Sequence, residues 1–80
     1  MSTENLVKVE ILDEAGLPTN DPDQLSNGSK LNELRYSSLM CMSLENRLQA
    51  VADAAGTGKV IRPGSIKLAT TVQQCIDLVI

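Results

Sequence analysis

The strongest apolar pattern in the chain lies in its middle third. Leu44, Leu48 and Val51 recur at positions i, i+4 and i+7, with Cys41 one helical turn before them and Ala55 one turn after. This spacing places all five side chains on one face of an α-helix, and that face is apolar enough to be buried. The pattern therefore predicts a helix that begins at the serine pair before it and ends at the glycines after it.

The serine pair Ser37-Ser38 marks the start of this helix, which is predicted to run from Ser38 to about Ala55 and to end at Gly56. Serine is a favoured N-cap because its hydroxyl accepts a hydrogen bond from a free backbone N–H. A helix N-terminus also carries partial positive charge and unbonded N–H donors, which favour an anion such as phosphate. A hydroxyl at this point can either cap the helix or carry a phosphoryl group as an ester.

A second apolar pattern predicts a helix at the C-terminus of the chain. Val72, Cys75, Ile76 and Val79 have helical spacing, and one of the two threonines just before them is a suitable N-cap. These four residues are expected to be the buried face of the last helix.

The N-terminal segment Thr3–Ala15 is ambiguous from its pattern alone. Val7, Val9 and Ile11 alternate with polar residues, as in a strand, but Val7 and Ile11 also have helical spacing. Gly16 suits the end of a helix, so helix is favoured over strand.

Two irregular segments are predicted between these elements. Leu17–Lys30 is rich in turn residues and reads as a long loop, anchored in the core by Leu25 and Leu31. Val60–Ile66 is apolar with a proline break, and its Val60, Ile61 and Ile66 are candidates to close the side of a hydrophobic cavity. Tyr36 is expected to be partly buried, with its hydroxyl in water.

Composition supports a single all-α domain spanning residues 1–80. The chain has no Trp, no Phe and one Tyr, so its core must be aliphatic, which suits helix-on-helix packing. Few aromatic residues and a net charge of −3 argue against a nucleic-acid partner. No run approaches the ~20 apolar residues of a membrane span, so no membrane insertion is expected. Without a recognisable signal sequence, the expected location is the cytoplasm.

Histidine and cysteine content limits the chemistry further. There is no histidine to act as a general base near neutral pH, so the chain is not expected to be an enzyme. Two cysteines without histidine are too few for a structural zinc site, and no metal is expected. Cys41 and Cys75 are expected to be buried free thiols in a reducing compartment, with a disulfide between two helices as the alternative.

The segment Ser37–Leu44 resembles the Asp-Ser-Leu motif of acyl carrier proteins together with the helix that follows it, and Thr70–Val79 resembles the family's last helix. The resemblance covers most of the chain. It implies a four-helix acyl-carrier-like bundle with a long first loop, which lets the first two helices run alike in direction, and a short third helix near Val60–Ile66.

The resemblance also implies a function for Ser38, the residue that matches the motif serine. In the family this serine carries 4′-phosphopantetheine, whose thiol holds an acyl chain as a thioester. The implied partners are a phosphopantetheinyl transferase, acyl-transferring or synthase enzymes and the acyl chain itself, and the chain is expected to be a monomer. Arg35 could add a charge contact to the phosphate. The residues expected to meet partner enzymes are Ser37, Leu39, Met40, Met42, Ser43 and Arg35.

Two residues depart from the family pattern. Ser37 replaces the aspartate before the motif serine, and Ser43 replaces the glutamate that many members carry five residues after it. The predicted second helix has only Glu45 and Asp53 against Arg47, so steering by charge should be weak. We therefore expect a carrier dedicated to a specialised lipid or secondary-metabolite pathway. An unmodified carrier-like interaction module and an aminoacyl or peptidyl carrier are the alternatives.

Overall fold

A computed structural model describes residues 1–80 and shows an all-helical chain, which confirms the predicted fold class. The three α-helices and two single-turn 3₁₀ helices are α1 (Thr3–Glu14), a 3₁₀ turn at Pro22–Gln24, a 3₁₀ turn at Leu31–Leu34, α2 (Ser38–Ala55) and α3 (Val72–Val79). There is no strand, only an isolated antiparallel bridge between Lys30 and Thr71. None of the helices combines the length and the apolar composition that crossing a bilayer requires.

The expected short third helix is absent, so the four-helix count was wrong. Residues 57–71, here called the α2–α3 loop, contain turns but no helix. Its backbone N–H groups bond to side chains of α2 instead: Ile61 N donates to Gln49 Oε1 at 2.7 Å, and Gly64 N and Ile66 N both donate to Glu45 Oε2 at 3.0 Å. In a helix these N–H groups would bond to backbone carbonyls one turn earlier. Acceptors on α2 therefore take the place of helical hydrogen bonds.

The ambiguous N-terminal segment is a helix, as the pattern favoured. Ser2 caps α1, its Oγ accepting from Asn5 N at 3.1 Å. At the other end Gly16 has φ 71°, and Leu17 N donates to Leu12 O at 2.9 Å. This is the Schellman ending, which requires a residue in the left-handed region that glycine adopts without strain. Both ends of the helix are thus fixed by local sequence.

The core contains sixteen buried apolar side chains drawn from all three helices and both long connections. All four predicted residues of α3 are buried, and so are the predicted loop anchors Leu25 and Leu31. In α2 the expected face was shifted at its end: Val51 is half-buried and Ala55 is exposed, while Ala52 is 1% exposed. Eleven residues make about three helical turns, so Ala52 comes back beneath Cys41, whereas Val51 falls at the edge of the apolar stripe.

The first two helices run antiparallel, not in the same direction as expected. The end of α1 meets the start of α2, where Ser43 Oγ donates to Glu14 Oε1. One turn along α2, the Arg47 guanidinium pairs with Asp13 at 2.7 Å, with Glu14 at 3.0 Å and with Glu10 at 3.5 Å. Arg47 therefore gathers three carboxylates of α1 and fixes how the two helices lie against each other.

Two further polar side chains bond into the core. Tyr36 is 6% exposed, and its hydroxyl donates to the Ile11 carbonyl at 2.6 Å, so the hydroxyl is not in water as expected. The same carbonyl also accepts from Ala15 N at 3.3 Å, so the phenol uses its second acceptor position. Lys8 Nζ similarly donates to the Leu25 carbonyl at 2.9 Å and holds the first loop. No buried side-chain nitrogen or oxygen lacks a partner.

The bonds from Glu45 predict a measurable stability effect. In Glu45→Ala the N–H groups of Gly64 and Ile66 lose their acceptor, and leaving the buried Ile66 donor unsatisfied should lower the free energy of unfolding by about 1–3 kcal/mol. Glu45→Gln keeps one oxygen acceptor and should lose less. Urea unfolding monitored by circular dichroism measures both.

Asn46→Ala is the matched control, because Asn46 is the exposed neighbour on the same helix. It should change stability by less than about 0.5 kcal/mol. Equal stability of Glu45→Ala and Asn46→Ala would show that the α2–α3 loop does not depend on the carboxylate.

The buried hydroxyl of Tyr36 predicts an alkaline effect. Desolvation by burial, with the charge of Glu14 adding to it, raises the pKa of Tyr36 above its ordinary value. The stabilisation that this un-ionised phenol contributes is therefore complete below pH about 10, the unfolded pKa, and is lost as the pH rises toward the folded pKa. Tyr36 is the sole tyrosine, so phenolate absorbance follows it alone.

Tyr36→Phe separates this effect from that of the two thiols, whose pKa values are also raised by burial. The stability difference between wild type and Tyr36→Phe should shrink as the pH rises past about 10. A native chain that formed phenolate near pH 10 without losing stability would contradict the burial of the hydroxyl.

Candidate functional site

The two serines at the start of α2 have different environments. Ser37 is the N-cap: its Oγ accepts from Met40 N at 3.2 Å, and Ser37 N in turn donates to Met40 Sδ at 3.4 Å. This is the reciprocal arrangement of a capping box, with a thioether in the place of the usual carboxylate. Ser38 is the first helical residue, is exposed, and uses its hydroxyl in no hydrogen bond. Of the two hydroxyls, that of Ser38 is therefore free to react.

The chain enters α2 through a strained turn at Arg35. This residue ends the second 3₁₀ turn with φ 63°, in the left-handed region that non-glycine residues seldom adopt. The next residue, Tyr36, is tied to α1 by its hydroxyl. The turn places the Arg35 side chain in solvent three residues before Ser38.

A groove of about 220 Å³, here called the Ser38 groove, runs from Ser38 between α2 and the α2–α3 loop. Its lining residues are Ser38, Cys41, Met42, Glu45, Gly64, Ile66, Lys67 and Leu68. Glu45 holds the opposite wall in place, because its carboxylate bonds the N–H groups of Gly64 and Ile66. A larger depression of about 300 Å³ does not include Ser38 and is lined by Ser65, Thr70 and three residues of α3, Gln74, Asp77 and Leu78.

The residues expected to meet partners do not form one surface. Leu39 and Met42 are 76% and 60% exposed and lie beside Ser38, whereas Met40 is half-buried against the core. One of the two methionines was expected to face the core and the other the surface, and they do. Ser43 is part-buried against α1 through its bond to Glu14. Ser37 and Arg35 are exposed, with the Ser37 hydroxyl engaged as the cap.

Sequence reasoning missed four lining residues of the groove: Glu45, Gly64, Lys67 and Leu68. Glu45 was treated as a surface charge, yet it is 9% exposed. A signal was present, because Glu45 is four residues after Cys41 and therefore lies on the apolar face of the helix. Val60, a candidate to close the side of the hydrophobic cavity, is instead 78% exposed, while Ile61 and Ile66 are buried.

The two cysteines are buried free thiols, as expected. Burial raises the pKa of Cys75 to about 12, and burial with the charge of Glu45 raises that of Cys41. Because the thiolate is the reactive form, neither side chain is suited to nucleophilic chemistry. No group of three or more potential ligand side chains could hold a metal ion.

No family model, no curated protein and no solved structure matches this chain.

The environment of the thiols predicts low reactivity. In the native protein at pH about 8.5, where a free cysteine would be half ionised, both thiols should react with a disulfide reagent at least about tenfold more slowly than in denaturant. Cys41→Ala and Cys75→Ala assign the two rates, and Cys41, which lines the groove, should be the faster. Native rates equal to those of the unfolded chain would contradict the buried positions.

Proposed function

We propose that this protein is a specialised acyl carrier that holds acyl groups as thioesters on a 4′-phosphopantetheine arm attached to Ser38. The observation that carries the proposal is the separation of roles between the two serines. Ser37 satisfies the helix N-terminus, which leaves the Ser38 hydroxyl exposed and unbonded at the first residue of α2. A transferase requires such a hydroxyl, reachable from solvent and on a rigid element.

The surroundings of Ser38 suit the phosphodiester that attachment would create. The N–H groups of Ser38 and Leu39 make no backbone hydrogen bond and point out of the helix N-terminus. An anion at such a position is favoured by roughly 0.3–1 kcal/mol. Arg35 and Lys67 are exposed cations near the same end and would add screened attraction.

The Ser38 groove gives the arm a place to lie. It starts at Ser38, and Met42, Ile66 and Leu68 supply its apolar walls. Methionine adapts its shape to a flexible ligand. Because the far wall is held by two bonds to Glu45 and not by a helix, it can separate from α2 without breaking a helical ladder. An acyl chain could then reach the aliphatic core beneath Ile66.

The charges of α2 support a specialised pathway over general fatty-acid synthesis. Glu45 is buried and bonded to the α2–α3 loop, so Asp53 is the one exposed carboxylate of the helix. Asp53 lies near the end of α2 farthest from Ser38. A partner that recognises an acidic helix would have almost no negative charge on α2 to bind. We place the carrier in the cytoplasm, where its two thiols stay reduced.

Intact-mass spectrometry tests the proposal. Incubation with a phosphopantetheinyl transferase and coenzyme A should add the mass of one arm to the wild-type chain. Ser38→Ala should gain nothing. The mass of the protein purified from its native host, before and after treatment with hydroxylamine to release thioesters, would then identify the cargo.

Ser37→Ala and Ser43→Ala are the matched controls, because each removes a neighbouring hydroxyl and keeps Ser38. Ser37→Ala loses the cap and should cost about 1 kcal/mol of stability but still be modified. Modification that survives Ser38→Ala would refute the site. A chain that no transferase modifies, in its host or in vitro, would favour the unmodified interaction module.

A further inference from the structure

We infer that the Ser38 groove binds a chain with an uncharged hydrogen-bond donor, an N–H or O–H group, about 10 Å from Ser38, and that Glu45 Oε1 accepts from it. The inference rests on the proposed function for the identity of that chain, which is the arm attached at Ser38 together with its acyl group. It adds a substrate class, because a purely hydrocarbon chain would leave this oxygen without a partner.

The two oxygens of the Glu45 carboxylate have different surroundings. Oε2 accepts the N–H groups of Gly64 and Ile66, both at 3.0 Å. Oε1 accepts no hydrogen bond from the chain, and since no buried side-chain oxygen lacks a partner, this atom is reached by solvent. Glu45 is only 9% exposed and lines the Ser38 groove, so the groove is where solvent reaches Oε1.

Ser38 and Glu45 lie on the same face of α2. They are seven residues apart, which is two helical turns and a rise of about 10 Å. Cys41, one turn after Ser38, also lines the groove between them. A chain that is attached to the Ser38 hydroxyl and follows this face therefore reaches the unbonded carboxylate oxygen.

No other side chain of the groove satisfies Glu45 Oε1. Lys67 is the one cation among the lining residues, yet it makes no ion pair, since all three ion pairs of the structure belong to Arg47. The side chains of Ile66 and Leu68 are apolar and offer no donor. Solvent is therefore the partner that an occupant of the groove has to replace.

Replacing that solvent imposes a condition on the occupant. A carboxylate oxygen that loses water without gaining a donor leaves a buried charge partly unsatisfied, which is unfavourable. A saturated hydrocarbon chain has no donor to offer, whereas an amide N–H or a hydroxyl does. A hydrogen bond to a charged acceptor is also stronger than one between neutral groups. The groove therefore favours a functionalised chain over a plain one.

The two opposite charges of the groove favour a donor without charge. An ammonium group would be attracted by Glu45 and repelled by Lys67, and a carboxylate would be repelled by the oxygen it has to approach. A neutral N–H or O–H group bonds to Oε1 without either repulsion. The exposed acids Glu33 and Asp77 do not line the groove and do not change this balance.

A competition between tethered chains tests the inference without a prosthetic arm. Ser38→Cys places a thiol at the mouth of the groove, and disulfide exchange attaches alkyl chains there at high effective concentration. Two disulfide reagents are offered in equal amounts; both span about 10 Å, and one ends in a hydroxyl and the other in a methyl ether. Wild type, whose two cysteines are buried, is the blank.

Intact-mass spectrometry gives the ratio of the two adducts. The hydroxyl adduct should exceed the ether adduct about tenfold in the native chain, as expected for one hydrogen bond to a charged acceptor. In urea, where the groove is lost, the ratio should be near one.

Glu45→Gln, made in the Ser38→Cys chain, is the decisive variant. It keeps an oxygen for the N–H groups of the α2–α3 loop and turns an NH₂ group toward the groove, so the preference for the hydroxyl should disappear. Asp77→Asn makes the same change of charge on α3, outside the groove, and should keep the preference. Circular dichroism checks that both variants fold.

The donor can come from the amides of the arm or from the acyl group, and the wild-type chain separates these sources. Chains with the arm alone, a butanoyl thioester or a 3-hydroxybutanoyl thioester are compared by the amide NMR shifts of Gly64 and Ile66, which bond the same carboxylate. A shift with the arm that neither cargo changes assigns the donor to the arm. A shift with the hydroxylated cargo alone assigns it to the acyl group, and no shift with any of the three would contradict the inference.

An adduct ratio near one in the native chain, a preference for the ether, or a preference that survives Glu45→Gln would overturn the inference. The tethers need neither coenzyme A nor a transferase. A hydroxyl preference in a chain that no transferase modifies would therefore refute the carrier function alone, and modification without the preference would refute this role of Glu45 alone.

Discussion

The candidate site depends on the hydrogen bonds that the buried Glu45 carboxylate accepts from the α2–α3 loop. One of its oxygens accepts the N–H groups of Gly64 and Ile66, and Gln49, one turn along α2, accepts from Ile61. These bonds let a segment without a helix lie against α2 with its backbone donors satisfied. They also form the far wall of the Ser38 groove. The same residue thus explains both why the expected third helix is missing and why a groove exists beside the exposed serine.

On the opposite side of α2, Arg47 fixes the helix against α1. Its guanidinium contacts Glu10, Asp13 and Glu14, and the last of these also accepts from Ser43. Polar residues on two faces of α2 are therefore occupied by internal contacts. Leu39 and Met42 remain exposed beside Ser38, and Lys67 lines the same groove.

Much of the helical framework could be predicted because its signals are local. The bounds of α2, the buried face of α3 and the end of α1 at Gly16 follow from spacing and caps that involve residues within one or two turns. The sequence also indicated Ser38 as the candidate modification site. The absence of the third helix could not be predicted, because the acceptors that replace its hydrogen bonds lie twelve to twenty-one residues away in the sequence. The hydroxyl of Tyr36 reaches a carbonyl twenty-five residues earlier, and that contact was hidden from the sequence for the same reason.

The sequence by itself determined that the chain is helical, that its core is aliphatic and that a serine pair opens the central helix, since periodicity, composition and capping act over short distances. Only the tertiary structure decided that the Glu45 carboxylate binds the α2–α3 loop and that Lys67 and Leu68 come to lie beside Ser38. These outcomes depend on contacts between segments far apart in the chain, and a helical pattern read along one segment does not contain them.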